Sequence, residues 1–398
     1  MKKLLIMLLA LSMLLSLCAC TEGGSETTTQ STTQAPEPTT EETLSVSSPE
    51  QLPMAAISLP AVTESTEAED GTALFRYTYQ SMSLVLPDQE VADAIIIDYL
   101  SRLDTAALAA QSLAQSAKSS YTGSSWTPYF NDVLYSPTRI DHNVLSLYGE
   151  NVSWSGASHP TRTCITANYD MVTGDRLTLG SILYDATALE ALCDLVVQQL
   201  DAIAEEKNLT SKYGLTVKNL LTADESHYEA WYFTGTGLTF CFSPYELAPY
   251  ASGVITAEVP YDKLTGVIDD AYFPVEQDAA MGTLKAELMT EENVDSFSQI
   301  AEIILDTEGQ MILLYTEDSV LDVKLEIMNS NGTYFTKNYT IFAAPYLTPG
   351  DAIMLQSSFS EDAVIRIEYY SNDQKFSGYL VIENETILIK EEPHASIS

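Results

Sequence analysis

The strongest periodic signal in the chain lies just after residue 187. Leu189, Leu192, Cys193, Val196, Leu200 and Ile203 recur at the three- and four-residue spacing of one helix face. Thr187 and Glu190 have the form of a capping box at its start. A second helix is predicted from Pro87-Asp88, where Asp88 can cap and Glu90 stands in the first turn, favoured there by the helix dipole. Val91, Ala94, Ile95, Tyr99 and Leu103 form its apolar face, and an Ala-rich continuation carries it to Lys118. Elsewhere the period is that of strands. Phe75 to Leu86 alternates and reads as a strand or a hairpin. An aromatic stretch punctuated by Pro128 and Pro137 suggests short strands at Tyr129 to Tyr135 and Asn143 to Tyr148. Further strands are predicted at 163–169, at 230–234 joined through Gly235 to 237–242, and at Gly253 to Val259. From about Met281 the pattern changes to short strands only: Ile303 to Leu305, Met311 to Tyr315, Val320 to Met328, Tyr334 to Phe342, Ile353 to Gln356, Val364 to Tyr370 and Phe376 to Ile382. Turn residues such as Asn331-Gly332 and Pro349-Gly350 separate them, which suggests a small β-sandwich. The expected class is α+β: antiparallel sheet with two long helices, followed by a C-terminal, sandwich-like all-β domain.

The N-terminus follows a different logic. Lys2 and Lys3 precede an apolar run, Leu4 to Leu17, interrupted only by Ser12 and Ser16. The run is too short for a conventional membrane span and fits a secretory signal. It ends Leu17-Cys18-Ala19-Cys20, which resembles the lipobox of bacterial lipoproteins. That resemblance implies a signal peptide of residues 1–19, a lipid on Cys20, and anchoring to the extracytoplasmic face of a bacterial cell membrane. Residues 20–71 are rich in Ser, Thr and Pro and hold ten acids with no Lys or Arg. Such a segment cannot offset its ordering entropy by burial and is expected to be a disordered tether, with the more apolar stretch Leu52 to Val62 able to pack locally and left unassigned. The expected body then divides into 72–152, 153–275 and 276–398.

Charge narrows the choice of partner. The 398 residues carry 56 Asp plus Glu against 18 Lys plus Arg, a formal net charge of −38. A surface this anionic repels phosphate backbones, which excludes nucleic acid and leaves cationic proteins and neutral glycans. Catalytic signatures are missing: no G-x-S-x-G, S-x-x-K or P-loop occurs, and no G-x-G-x-x-G opens a helix. The four histidines, His142, His159, His227 and His394, show no i, i+4 pair. No catalytic residue, metal or cofactor is therefore expected. After Cys20 the cysteines are Cys164, Cys193 and Cys241, which allow at most one internal disulfide. Cys193 belongs to the apolar helix face. Cys164 and Cys241 both fall on predicted strands, where they either pair or stay as buried thiols.

Two segments gather contact chemistry. Trp154-Ser155-Gly156-Ala157-Ser158-His159-Pro160 combines small residues with an imidazole. Phe242 to Tyr250 is a Pro-punctuated aromatic loop containing Tyr245, Glu246 and Tyr250. The candidate ligand-binding residues are Trp154, His159, Tyr245, Glu246 and Tyr250. The run Tyr169-Asp170, Thr173-Gly174, Leu177 and Leu179, with Tyr245 to Tyr250, Gly253 and Pro260-Tyr261, resembles a bacterial extracytoplasmic domain of unknown function. That domain is shared by the lysozyme-binding anti-sigma factor (RsiV-type) and by the N-terminal region of certain peptidoglycan deacetylases. Residues 72–152 resemble its usual companion domain. No segment precedes the signal to hold a sigma factor, and the histidine spacing of a deacetylase is missing, so neither activity is expected. What the resemblance implies is a non-catalytic surface lipoprotein that binds or senses a wall-associated ligand, either a lysozyme-like cationic protein or a peptidoglycan fragment. The alternatives are a cell-wall-modifying hydrolase using Glu246, Asp170 or His159 as acid or base, and a structural envelope protein.

Overall fold

The computed structural model describes residues 54–391 apart from 124, 186, 224–229, 276–279, 331–334, 359–362 and 384–385. The signal segment, Cys20, most of the expected tether, His227, His394 and the Asn331-Gly332 turn lie outside the described residues. The class is α+β with an all-β C-terminal region, and strands dominate.

The central part is a stack of layers. Helix α1 (Gln89–Ser120) starts as its sequence requires, with the Asp88 carboxylate accepting from the Glu90 and Val91 amides. Its buried face, including Val91, Ile95, Tyr99 and Leu103, lies on a five-stranded sheet. The strands of that sheet are β2 (Ala61–Glu67), β3 (Ala73–Gln80), β5 (Tyr129–Ile140), β6 (Val144–Trp154) and β7 (Thr161–Asp170), in the order β2-β3-β5-β6-β7. The sheet is mixed and not purely antiparallel, because β3 and β5 run parallel. Helix α1 lies between them in sequence and carries the chain back to the same end, as a parallel pair needs. Pro137 does not end a strand. It sits inside β5 at a register shift, where a missing amide donor is tolerated.

On the far side of this sheet lies a second one, built from β8 (Trp231–Phe233), β9 (Gly237–Phe242) and β10 (Ile255–Pro260) in the order β10-β9-β8. Strand alternation assigns every side chain to a layer. On β7, Ala167 and Tyr169 face α1, while Cys164, Thr166 and Asn168 face the three-stranded sheet. On β9, Leu238, Phe240 and Phe242 face outward onto α3 (Ala188–Asp201) and α4 (Tyr213–Ala223), and Cys241 faces inward. The predicted α3 face is buried at Leu192, Cys193, Val196 and Leu200, each such apolar side chain contributing roughly 1.5–3 kcal/mol. The expected capping box at Thr187 is absent. Thr187 is already in helical conformation, Asp185 accepts from the Thr187 and Ala188 amides, and Glu190 pairs with Lys218 of α4. A capping box does form one element earlier, between Thr178 and Ser181, at the start of the short helix α2 (Leu179–Ile182).

The C-terminal region packs two sheets on one apolar core. Strands β11 (Leu284–Leu288), β13 (Gln310–Thr316), β16 (Asp351–Ser357) and β12 (Gln299–Ile304) form one in that order. The other is built from β1 (Ala56–Ser58), β4 (Ser83–Val85), β14 (Val320–Ser330), β15 (Phe335–Leu347), β17 (Ala363–Ser371), β18 (Gln374–Glu383) and β19 (Thr386–Glu391), in the order β19-β18-β17-β14-β15-β1-β4. A one-turn helix, α5 (Glu291–Val294), follows β11.

The last two strands of that sheet overturn two expectations. Strand β1 (Ala56–Ser58) lies within the supposed tether, yet Met54 to Leu59 is buried throughout and β1 pairs with β15 through Ile57 and Ala343. Strand β2 likewise pairs along β3. Burial of the apolar run Met54 to Leu59 offsets its cost of ordering, and the Thr- and Glu-rich β2 is held by its pairing with β3. Phe75 to Leu86 is neither one strand nor a hairpin: β3 stays in the five-stranded sheet, and β4 (Ser83–Val85) crosses to pair with β1. Gln80 joins the two regions at this point. Its buried amide donates to the Leu59 and Thr340 carbonyls and accepts from the Tyr135 amide, and its own carbonyl accepts from the Tyr99 hydroxyl.

Candidate functional site

The turn between β6 and β7 carries Gly156 at φ +88°, a left-handed conformation that favours glycine. A Cβ there would also approach the Tyr129 hydroxyl to 3.2 Å. The Trp154 indole closes the turn by donating to the Ala157 carbonyl at 2.7 Å. His159 leaves the turn exposed to solvent. Its Nδ1 lies 3.1 Å from the Pro160 carbonyl and its Nε2 lies 3.3 Å from the Tyr245 hydroxyl.

The partner loop follows β9. Glu246 accepts from the Ser243 amide at 2.6 Å, and the Tyr245 amide donates to the Ala248 carbonyl at 3.0 Å. This tight loop holds Tyr245 at φ +77°, a conformation that costs a non-glycine residue on the order of 1–3 kcal/mol. The strained residue is also 66 % exposed. Two loops from different sheets thereby bring three rings together. His159 stacks on Tyr250 with centroids 4.0 Å apart, Tyr245 lies 5.6 Å from Tyr250 and 6.4 Å from His159, and the Tyr250 hydroxyl donates to the Pro160 carbonyl at 2.8 Å.

Of the five residues singled out in the sequence, His159, Tyr245 and Tyr250 form this cluster. Glu246 does not join it through its carboxylate, which is held by the loop's own backbone. Partial burial pushes that carboxyl up, against the stabilising Ser243 amide. Trp154 belongs to a second aromatic row on the same turn, edge-on to Tyr129 at 5.8 Å and stacked with Phe130 at 6.4 Å. The row continues through Trp126 to Tyr121, and the Arg76 guanidinium sits over Phe130 at 5.6 Å while paired with Asp132. Sequence reasoning missed this row. Its only signal was the adjacent pair Tyr129-Phe130 after Pro128, because the parallel register that sets Arg76 opposite Phe130 is a tertiary fact. Arg162, beside the His159 turn, pairs with Glu150. Among the described residues no group of three or more His, Cys, Asp or Glu side chains is placed to hold a metal ion. Among the same residues no helix is long and apolar enough to cross a membrane.

Comparison with known proteins adds one family. Residues 182–262 match a model described as a protein of unknown function, DUF3298. The match spans α3 to β10 and contains Tyr245 and Tyr250, whereas His159 lies outside it. No curated protein matches the chain. Among solved structures, a DUF3298 family member from Bacteroides fragilis NCTC 9343 is 17 % identical, with 55 % of this chain and 95 % of that one covered at a TM-score of 0.41. A DUF3298 family protein from Pseudomonas aeruginosa PAO1 is 17 % identical, with 55 % and 97 % covered at a TM-score of 0.39.

Proposed function

We propose that this chain is a non-catalytic, lipid-anchored binding or sensing protein of the bacterial cell surface. Its contact surface is the His159, Tyr245 and Tyr250 cluster, and its ligand is associated with the cell wall. The observation that carries this reading is the convergence of three rings from two sheets, one of them held exposed in a strained backbone conformation. Exposed rings on short, braced loops offer contact area at low entropic cost. Glu246, the acid nearest the cluster in sequence, is engaged by the Ser243 amide of its own loop, which favours binding over hydrolysis. The net charge of −38 favours a cationic protein such as lysozyme over a neutral peptidoglycan fragment, since opposite charges speed encounter.

The test is binding of lysozyme and, in parallel, of soluble muropeptides to the purified chain and to its Tyr250→Ala and His159→Ala variants. A lysozyme complex that tightens as salt is lowered and weakens about tenfold in either variant is the expected result. Undiminished binding by both variants, or no binding of either ligand at low salt, overturns the assignment. Turnover of muropeptides that disappears in Glu246→Gln would place the chain among hydrolases instead.

A further inference from the structure

We propose that Cys164 and Cys241 close into a disulfide that ties the five-stranded sheet to the three-stranded sheet beneath the two aromatic loops. The topology brings this pair together and keeps the third cysteine away. Cys164 stands near the start of β7, four residues after Pro160, and Cys241 stands near the end of β9, two residues before Ser243. Strand alternation turns both side chains into the layer between the sheets, where they lie as free thiols in one buried cluster with Tyr232. The rings of Tyr148 and Tyr232, 4.8 Å apart, lie in the same cluster. The Cys164 amide donates to the Ser243 hydroxyl at 3.1 Å, so the two chain segments are already in register at this point. Cys193 is buried on α3, in the core on the opposite face of the three-stranded sheet, and that sheet separates it from the pair.

Bond formation removes one proton and one electron from each thiol. A disulfide-bearing oxidant, small molecule or protein, takes both electrons and both protons and leaves as two thiols. Cys164 keeps 8 % exposure and Cys241 none, so Cys164 attacks the oxidant first, releasing one thiol. Cys241 then attacks the Cys164 sulfur of the mixed disulfide and releases the second. The hydrogen bond from Cys241 favours the Cys164 thiolate, the form that attacks, while that bond and burial push the Cys241 thiol up. The bridge does not depend on what the loops bind. It fixes the spacing of the strand ends from which His159 and Tyr245 project.

The full chain would be purified under reductant and split between a reducing buffer and one containing oxidised glutathione. Both samples would then be unfolded, alkylated with N-ethylmaleimide and digested with trypsin. The three cysteines fall on separate tryptic peptides, 163–176, 177–207 and 219–263. The oxidised sample is expected to give 163–176 linked to 219–263, with Cys193 alkylated. It should keep its near-ultraviolet circular dichroism and melt roughly 5 °C above the reduced sample. Cys164→Ala and Cys241→Ala should each abolish the linked peptide. Alkylation of all three cysteines after oxidation, a linkage through any other cysteine, or a linked chain that has lost its tertiary dichroism overturns the proposal.

Discussion

Sheet packs on sheet twice in this molecule, and the two contacts are made of different materials. The C-terminal sandwich is closed by Ile303, Ile312, Leu325, Phe342, Ile353 and Ile367, all fully buried and apolar. The central contact mixes small polar groups with the rings of Tyr148 and Tyr232. Ser146 donates to the Asn168 side-chain carbonyl and accepts from the Phe233 amide, and the Asn168 amide donates to the Trp231 carbonyl at 2.8 Å. Cys164 and Cys241 continue this layer towards the loops. An apolar contact gains stability from area and has little directional preference. A hydrogen-bonded contact works in one register only, because a slip leaves buried donors and acceptors unpaired. The central sheets therefore hold the ends of β7 and β9 at a defined offset, and the aromatic loops project from those ends. The sandwich, by contrast, brings no comparable aromatic cluster to the surface among the described residues.

Phe342→Ala probes the apolar contact and should cost about 3–5 kcal/mol in urea unfolding. A loss below about 1 kcal/mol would mean that the sandwich is not held by its core. Asn168→Ala probes the polar contact, since it strips partners from Ser146 and from the Trp231 carbonyl. The expected cost is about 2–3 kcal/mol, from a side chain that buries little apolar area. If the variant is as stable as the parent, directional bonding does not set the register of the central sheets.

A smaller effect separates buried charge from buried packing. Asp351, at the start of β16, is fully buried, and one of its carboxylate oxygens accepts from the Thr348 amide and hydroxyl while the other has no partner among the described residues. Burial pushes this carboxyl up, above the value it has in the unfolded chain. The folded state thus binds the proton more tightly, and stability falls as pH rises from the unfolded value, about 4, through the folded one. Asp351→Asn keeps an acceptor for Thr348 and has no charge to bury. Its stability relative to the parent should rise between pH 4 and pH 7, which paired urea titrations would show; an unchanged difference would contradict the sign.

The smallest effect concerns the loops. Tyr245→Gly removes an exposed ring from a left-handed position that glycine adopts freely; the strain relieved is opposed by glycine's larger unfolded-state entropy and the lost ring contacts, so unfolding should shift by no more than about 1 kcal/mol, in either direction. A loss above about 1 kcal/mol would make Tyr245 a structural residue and count against its role in binding.

Much of the fold was legible in the sequence. The α1 start at Asp88, the α3 face and the strand alternation of β7 and β9 each depend on residues a few positions apart. The misreadings depended on distant partners. Nothing in Met54 to Leu59 says that Ala343 will pair with it, nor that Ser83 to Val85 will leave its neighbours for the same sheet. Thr187 has the right type and spacing for a cap, but Asp185 reaches the free amides first. For the candidate site, the sequence pointed to the two loops and to His159, Tyr245 and Tyr250. It could not show that Trp154 packs on Tyr129 and Phe130 and not on the three clustered rings.

By itself, then, the sequence determined the layers' outward and inward faces, the strongly anionic composition and the identity of the two aromatic loops. Each of these follows from local spacing or from composition. The tertiary structure alone decided which faces meet, which cysteines share one cluster and which rings stack. Those outcomes turn on the register between strands far apart in the chain, and register is set by packing and hydrogen bonding across layers that no local pattern encodes.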